Sequence, residues 1–320
     1  VFFATFILPL SIYYYVKSNS FVSVYHLDRL LKIFTIFGLL FFFAEFYSIN
    51  YMNFHIFNFA LYWEGEEVEG FHTSKLTYAF LGELTRPWGF MAMPQSTGSV
   101  FAALSIYFFS KYFFLVKRLR SRADLLYIVF ALAGVYISGS RTAIVIIAAM
   151  LLFIFRKNLI LFLTSIGIGL LLVFTFLLTT EVSLKGYYNI VPKFLNGLSI
   201  DSMDRLADLL FGQGLNTVIG REIIGIDESH LLNHFFYTGA FLYLMLMILL
   251  LFLYKIYSVG LSNKLKTSSL YHMAFLLFIF TLILGSMHYD SLMRYPVNII
   301  ALSMIAIISR DVSLSKKGNP

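Results

Sequence analysis

The chain has 320 residues, of which 59% are hydrophobic, 18% aromatic and 13% charged, and its mean hydropathy is +0.80. A soluble fold of that composition would leave too much apolar surface in water, so the chain reads as an all-α polytopic membrane protein. It has no Cys, which excludes disulfide frameworks, thiolate metal sites and Cys nucleophiles, and its net charge of +7 is spread over short loops rather than gathered on a nucleic-acid-binding face.

The first apolar run, about 1 to 16, begins at Val1 with no Met and no charged segment ahead of it, which points to native residues missing upstream. A second run, about 33 to 50, carries one charge, Glu45, which either snorkels or pairs across the bundle. Further apolar runs predict spans near 97 to 116, 124 to 138, 141 to 155, 158 to 179, 231 to 254, 270 to 288 and 296 to 309. That makes about nine transmembrane segments in a single domain over residues 1–320. Alternate loops collect 16 of the 24 basic residues on one side, and the positive-inside rule makes that side cytoplasmic. Asp28, Asp124 and Asp311 fall on the same side, and 13 of the 17 acids face outward.

Two outer loops are long, about 51 to 96 and about 180 to 230, beyond the roughly 15 residues that an unspecialised connection needs. Trp63, Trp88, Phe90, Tyr187, Tyr188, Phe194 and Phe211 give both loops apolar surface to pack. Within the second, residues 201–211 read as a short amphipathic helix that ends at Gly212, with Met203, Leu206, Leu209 and Leu210 on one side. These loops are where function is expected.

Arg141 is the only charge between Asp124 and Arg156. A single helix through that run would be about 46 Å long at 1.5 Å per residue, against a hydrocarbon core of roughly 30 Å. Two short helices meeting at Ser138-Gly139-Ser140 are therefore predicted, with Arg141 near the turn on the outer side. An Arg in that position either lines a polar cavity and binds an anion or snorkels to headgroups from a helix end.

The outward segments hold eight basic residues, five of them Arg: Arg86, Arg141, Arg205, Arg221 and Arg294. Guanidinium forks stay charged when buried and pair bidentately with phosphate, so Arg residues converging at an outer face suit a lipid-linked phosphate or pyrophosphate. The alternative is ordinary surface charge. His230 follows Asp227-Glu228-Ser229 and opens the helix at about 231; it can take a proton near neutral pH or be a satisfied interfacial residue. Asp227 or Glu228 can orient it or act as base, and acids at a helix start also suit its dipole.

His234 lies one turn beyond His230, but HExxH spacing is missing and no third ligand is evident, so no metal is assigned. Glu64, Glu66, Glu67 and Glu69 either chelate a hard cation or form a solvated acidic loop, the latter preferred. His288, Asp290 and Arg294 gather between the last two spans as an ion pair or a helix-end cap. Walker-type phosphate cradles are missing from the sequence, which argues against an ATP-driven pump.

Four stretches together resemble the bacterial O-antigen polymerase and O-antigen ligase superfamily. Ser138-Gly139-Ser140-Arg141-Thr142-Ala143, opening a helix, resembles its central signature. Arg86-Pro87-Trp88-Gly89-Phe90 with Pro94 is similar to its first outer-loop segment, and Arg205 followed by Gly212-Gln213-Gly214 to its large-loop element. Ser229-His230 through His234, with Gly239, is similar to its Ser-His-Asn segment, although Leu231 stands where that family has Asn. The likeness covers roughly residues 80 to 255.

The resemblance implies a GT-C-like multihelical fold in the bacterial inner membrane with its active site facing the periplasm. It also implies a metal-independent and cofactor-free glycosyltransferase acting on an undecaprenyl-pyrophosphate-linked glycan donor and a glycan acceptor among membrane lipids, with a chain-length regulator as a further partner. Arg141 and Arg205 would hold the pyrophosphate, Arg86 would help form that site, and His230 would be the catalytic base or close to it. The residues themselves add Arg221 to the pyrophosphate-binding candidates and Glu228 to the catalytic ones, as base in place of His230, with Asp227, His234, His288 and Arg294 to orient these groups. Polymerisation of repeat units is the favoured expectation. Ligation to lipid A core is the first alternative, and a transporter or flippase the second; a transporter would spread ionisable groups along its spans at midplane depth.

Overall fold

The computed structural model describes residues 7–52, 75–78, 82–87, 89–91, 94–114, 122–155, 267–286 and 296–317. Helix α1 (Leu8–Ser18) carries Pro9 in its first turn, where a missing N–H leaves no bond unmade. Ser23 then opens α2 (Val24–Tyr51) with a capping box, in which His26 Nδ1 accepts from Ser23 N at 3.2 Å. At 28 residues α2 is about 42 Å long, and it is long and apolar enough to cross a membrane. Only 33% of its most apolar window is buried, and Phe37, Leu40 and Phe43 are exposed. A helix at the heart of a soluble protein would hide such side chains, so this face suits lipid.

A short antiparallel hairpin follows, β1 (Lys75–Tyr78) with β2 (Gly82–Thr85), paired from Lys75 opposite Thr85 to Tyr78 opposite Gly82. Then come α3 (Pro94–Phe114), α4 (Arg122–Ser138), α5 (Arg141–Phe155), α6 (Thr267–Ser286) and α7 (Val297–Lys317). The apolar stretches Thr142–Phe155 and Leu270–Gly285 are shorter than a full span.

Helix α3 is the central element and packs against α4, α5 and α6. Its Phe101, Leu104, Tyr107 and Phe108 are wholly buried. Phe101 stacks on Phe42 of α2 at 5.8 Å between ring centroids, Tyr107 on Phe275 of α6 at 5.6 Å and Phe108 on Tyr127 of α4 at 5.1 Å. Gly134 of α4 admits the Phe101 ring, which a Cβ at that position would strike. Small residues thus set how closely these apolar helices approach. On the flank, Arg310 of α7 caps α1 by donating to Asn19 O at 2.7 Å, and Asp311 pairs with His272 of α6 at 3.0 Å.

Three features differ from the sequence-based expectation. The hairpin adds two strands to a loop predicted without them. Helix α2 starts at Val24 rather than near 33, and α7 runs to Lys317 rather than 309. The extension of α2 has a clear cause. Asp28 and Lys32, which read as loop charges, lie one helical turn apart and are bonded at 3.0 Å. The segments predicted at 158–179 and 231–254 and the amphipathic helix at 201–211 lie outside the described residues.

Asp28 belongs to a buried charge network that ties α2, α3 and α4 together. Lys111 Nζ donates to Asp28 Oδ1 at 2.7 Å and to Asp124 Oδ1 at 3.0 Å, while Tyr107 Oη donates to Asp28 Oδ1 at 2.8 Å. Lys32 lies 3.7 Å from Asp124, which makes two cations for two carboxylates. Lys111 and both acids are nearly inaccessible, so neither charge can be left alone without a large desolvation cost. Lys111→Met is therefore expected to cost about 3–5 kcal/mol of folding stability by leaving two buried acids with the single cation of Lys32, and adding Asp28→Asn should recover part of it. The thermal midpoint in detergent measures both, and an unchanged midpoint in Lys111→Met would contradict this account.

Candidate functional site

The end of the bundle opposite the charge network is organised by the α4–α5 turn. Gly139 takes φ +54°, a left-handed conformation open to glycine, and its N–H donates to Tyr136 O at 3.0 Å, closing α4. Ser138 Oγ donates to Val135 O at 2.6 Å and accepts from Ser140 N at 3.1 Å. Ser140 Oγ then accepts from Ala143 N at 3.3 Å, which caps the start of α5. Arg141 is thereby the first residue of α5. Each residue of Ser138-Gly139-Ser140 has a separate part in stopping one helix and starting the next.

Arg86 reaches this turn from the segment between β2 and α3. Its Nε donates to Ser138 O at 3.0 Å, and the residue is 9% exposed. The last carbonyls of a helix carry partial negative charge, so a guanidinium there is well placed. Asn50, near the end of α2, fixes the preceding residue with a pair of bonds: its Nδ2 donates to Thr85 O at 2.9 Å, and its Oδ1 accepts from Thr85 N at 2.7 Å. On the other side of Arg86, Gly89 N donates to Glu45 Oε2 at 2.6 Å.

The first turns of α3 complete the neighbourhood. Thr97 Oγ1 accepts from Met91 N at 3.4 Å. A Cβ on Gly98 would lie 2.5 Å from both Ser138 Oγ and Ser140 Cβ, so the backbone of α3 presses directly on the turn. Among the described residues, the buried Ser96 Oγ has no hydrogen-bond partner. Two helices, α3 and α5, begin beside this turn, and the carbonyl end of α4 is covered by a guanidinium.

Of the residues singled out in the sequence, Arg86 is bonded to the carbonyl of Ser138, three residues before Arg141, whose backbone opens α5. Arg205, Arg221, Asp227, Glu228, His230, His234, His288 and Arg294 lie outside the described residues, as do Glu64, Glu66, Glu67 and Glu69. Among the described residues no group of three or more His, Asp or Glu side chains is arranged to hold a metal ion. Sequence reading gave Glu45 no role and passed over Asn50, yet these two hold the Arg86 segment. The signal for Glu45 was a lone charge in an apolar run, whereas Asn50 carried none.

Searches against family models, curated proteins and solved structures returned no match to the chain. Gly98→Ala is expected to push the turn away from α3 at a cost of about 1–3 kcal/mol, the usual scale of overpacking. Ser105→Ala, further along α3 where Oγ donates to Ala102 O at 2.8 Å, should be much milder. Chemical denaturation of the two variants side by side tests the tight fit at Gly98.

Proposed function

We propose that the chain is a multi-pass inner-membrane glycosyltransferase of about nine spans, with a GT-C-like arrangement and a periplasmic active site. It polymerises undecaprenyl-pyrophosphate-linked repeat units of a surface polysaccharide. The observation that carries this reading is the bond from Arg86 Nε to Ser138 O, which holds one guanidinium at the turn whose next helix opens on Arg141. Such a place suits the pyrophosphate of a lipid carrier. A groove of about 340 Å3 between α2 and α4 adds support. Its lining surface, from Leu39, Leu40, Phe43, Phe46, Ala133, Tyr136 and Ile137, is apolar, and Phe46 and Ile137 adjoin Glu45 and Ser138 in sequence. An isoprenoid chain fits that chemistry.

In this reading an acceptor hydroxyl attacks the anomeric carbon of the donor glycan. The new bond joins the acceptor oxygen to that carbon, and the bond to the pyrophosphate oxygen breaks. His230, oriented by Glu228 or Asp227, takes the hydroxyl proton as the oxygen becomes nucleophilic. Arg141, Arg205, Arg86 and Arg221 stabilise the negative charge that grows on the departing pyrophosphate, and fixed guanidinium groups serve where other transferases use a metal ion. Direct displacement inverts the anomeric centre.

The test is chain growth on undecaprenyl-pyrophosphate-linked units by the reconstituted protein, with no ion gradient. Arg141→Ala and His230→Ala are each expected to lower turnover by about 10²–10³-fold, the scale of losing one group that acts on transition-state charge or proton transfer. Arg141→Lys should be nearly as poor because the fork is lost. Full activity in Arg141→Ala, or translocation of the substrate without new glycosidic bonds, would overturn the proposal.

A further inference from the structure

Glu45 is a carboxylate with 0% exposure in a helix that carries no other charge from Ile33 to Tyr51. Charge is expensive there, and such residues persist where a specific partner needs them. One oxygen, Oε2, accepts from Gly89 N at 2.6 Å, a short charge-assisted bond. Gly89 has φ +71°, and a Cβ there would lie 2.6 Å from Thr97 Oγ1 and 2.9 Å from Phe42 Cε2. The backbone at Gly89 is thus pressed between α2 and α3 with its N–H turned to the carboxylate. Five residues after Glu45, Asn50 grips both backbone groups of Thr85. Arg86 lies between these two anchors, and its Nε donates to Ser138 O.

We propose that Glu45 is a positioning residue for the anion site: by seating Gly89 it fixes the Arg86 guanidinium at the turn that opens on Arg141, and so sets affinity for the carrier pyrophosphate. This rests on the function proposed above. It distinguishes Glu45 from the Asp28–Lys111–Asp124 network, which also buries charge but holds the opposite end of α3.

The full-length protein in lipid nanodiscs is titrated with undecaprenyl pyrophosphate, and thermal midpoints are recorded in parallel. Glu45→Met fills the same volume but leaves the Gly89 N–H without an acceptor, so a lower thermal midpoint is expected alongside the binding change. It is expected to weaken carrier binding about tenfold, the scale of one hydrogen bond to a charged group, and to add nothing in an Arg86→Ala background. Glu45→Gln keeps an oxygen for Gly89 N–H and should bind within about twofold of the parent protein, a neutral bond being weaker but not absent. Asn50→Ala loosens the other anchor and should likewise have no effect once Arg86 is gone.

Parental affinity in Glu45→Met, independent multiplying losses for Glu45→Met and Arg86→Ala, or equal weakness of Glu45→Gln and Glu45→Met would each overturn the role of Glu45. Parental affinity in Arg141→Ala would instead overturn the site as a whole, so the two failures are told apart.

Discussion

The bond from Arg86 Nε to Ser138 O, 3.0 Å long, is the constraint on which one end of this molecule depends. It joins a segment leading out of a hairpin to the last turn of α4, and it does so in a place almost closed to solvent. The carbonyl it satisfies lies at a helix end, where intrahelical donors run out. The contact brings Arg86 to the start of the helix that begins with Arg141.

Around that bond the structure economises on space. Gly98 lets α3 lie against Ser138 and Ser140, Gly89 lets the Arg86 segment slip between α2 and α3, and Gly134 receives the ring of Phe101. Helix α3 runs from this crowded end to the Asp28–Lys32–Lys111–Asp124 network at the other. Its two ends are therefore pinned by different chemistry, backbone groups and glycine contacts at one and balanced buried charge at the other. The aromatic stacking of Phe101, Tyr107 and Phe108 fills the length between them. An arrangement pinned at both ends resists sliding of α3 along its neighbours, which keeps the turn and Arg86 in register.

The break at Ser138-Gly139-Ser140 was legible in the sequence because it rests on local rules: a run too long for one span, a glycine able to take positive φ, and serines suited to capping. Helices α4 and α5 accordingly end and begin where the sequence places them, at Ser138 and Arg141. The start of α2 was not legible, since Asp28 and Lys32 look like loop charges until Lys111 and Asp124 arrive from other helices. The hairpin was missed for a related reason. Four-residue strands such as Lys75–Tyr78 and Gly82–Thr85 have little periodicity to detect, and they gain stability by pairing and by the hold of Asn50 on Thr85.

What the sequence alone determined is whatever depends on neighbours within a helical turn or on bulk hydropathy: the helical character, the apolar run long enough to cross a membrane, and the turn before Arg141. What only the tertiary structure decided is which buried polar groups meet. Glu45 and Gly89 are 44 residues apart, Arg86 and Ser138 52, and Asp28 and Lys111 83. No spacing rule links such pairs, because their attraction acts only after packing has removed water from between the helices.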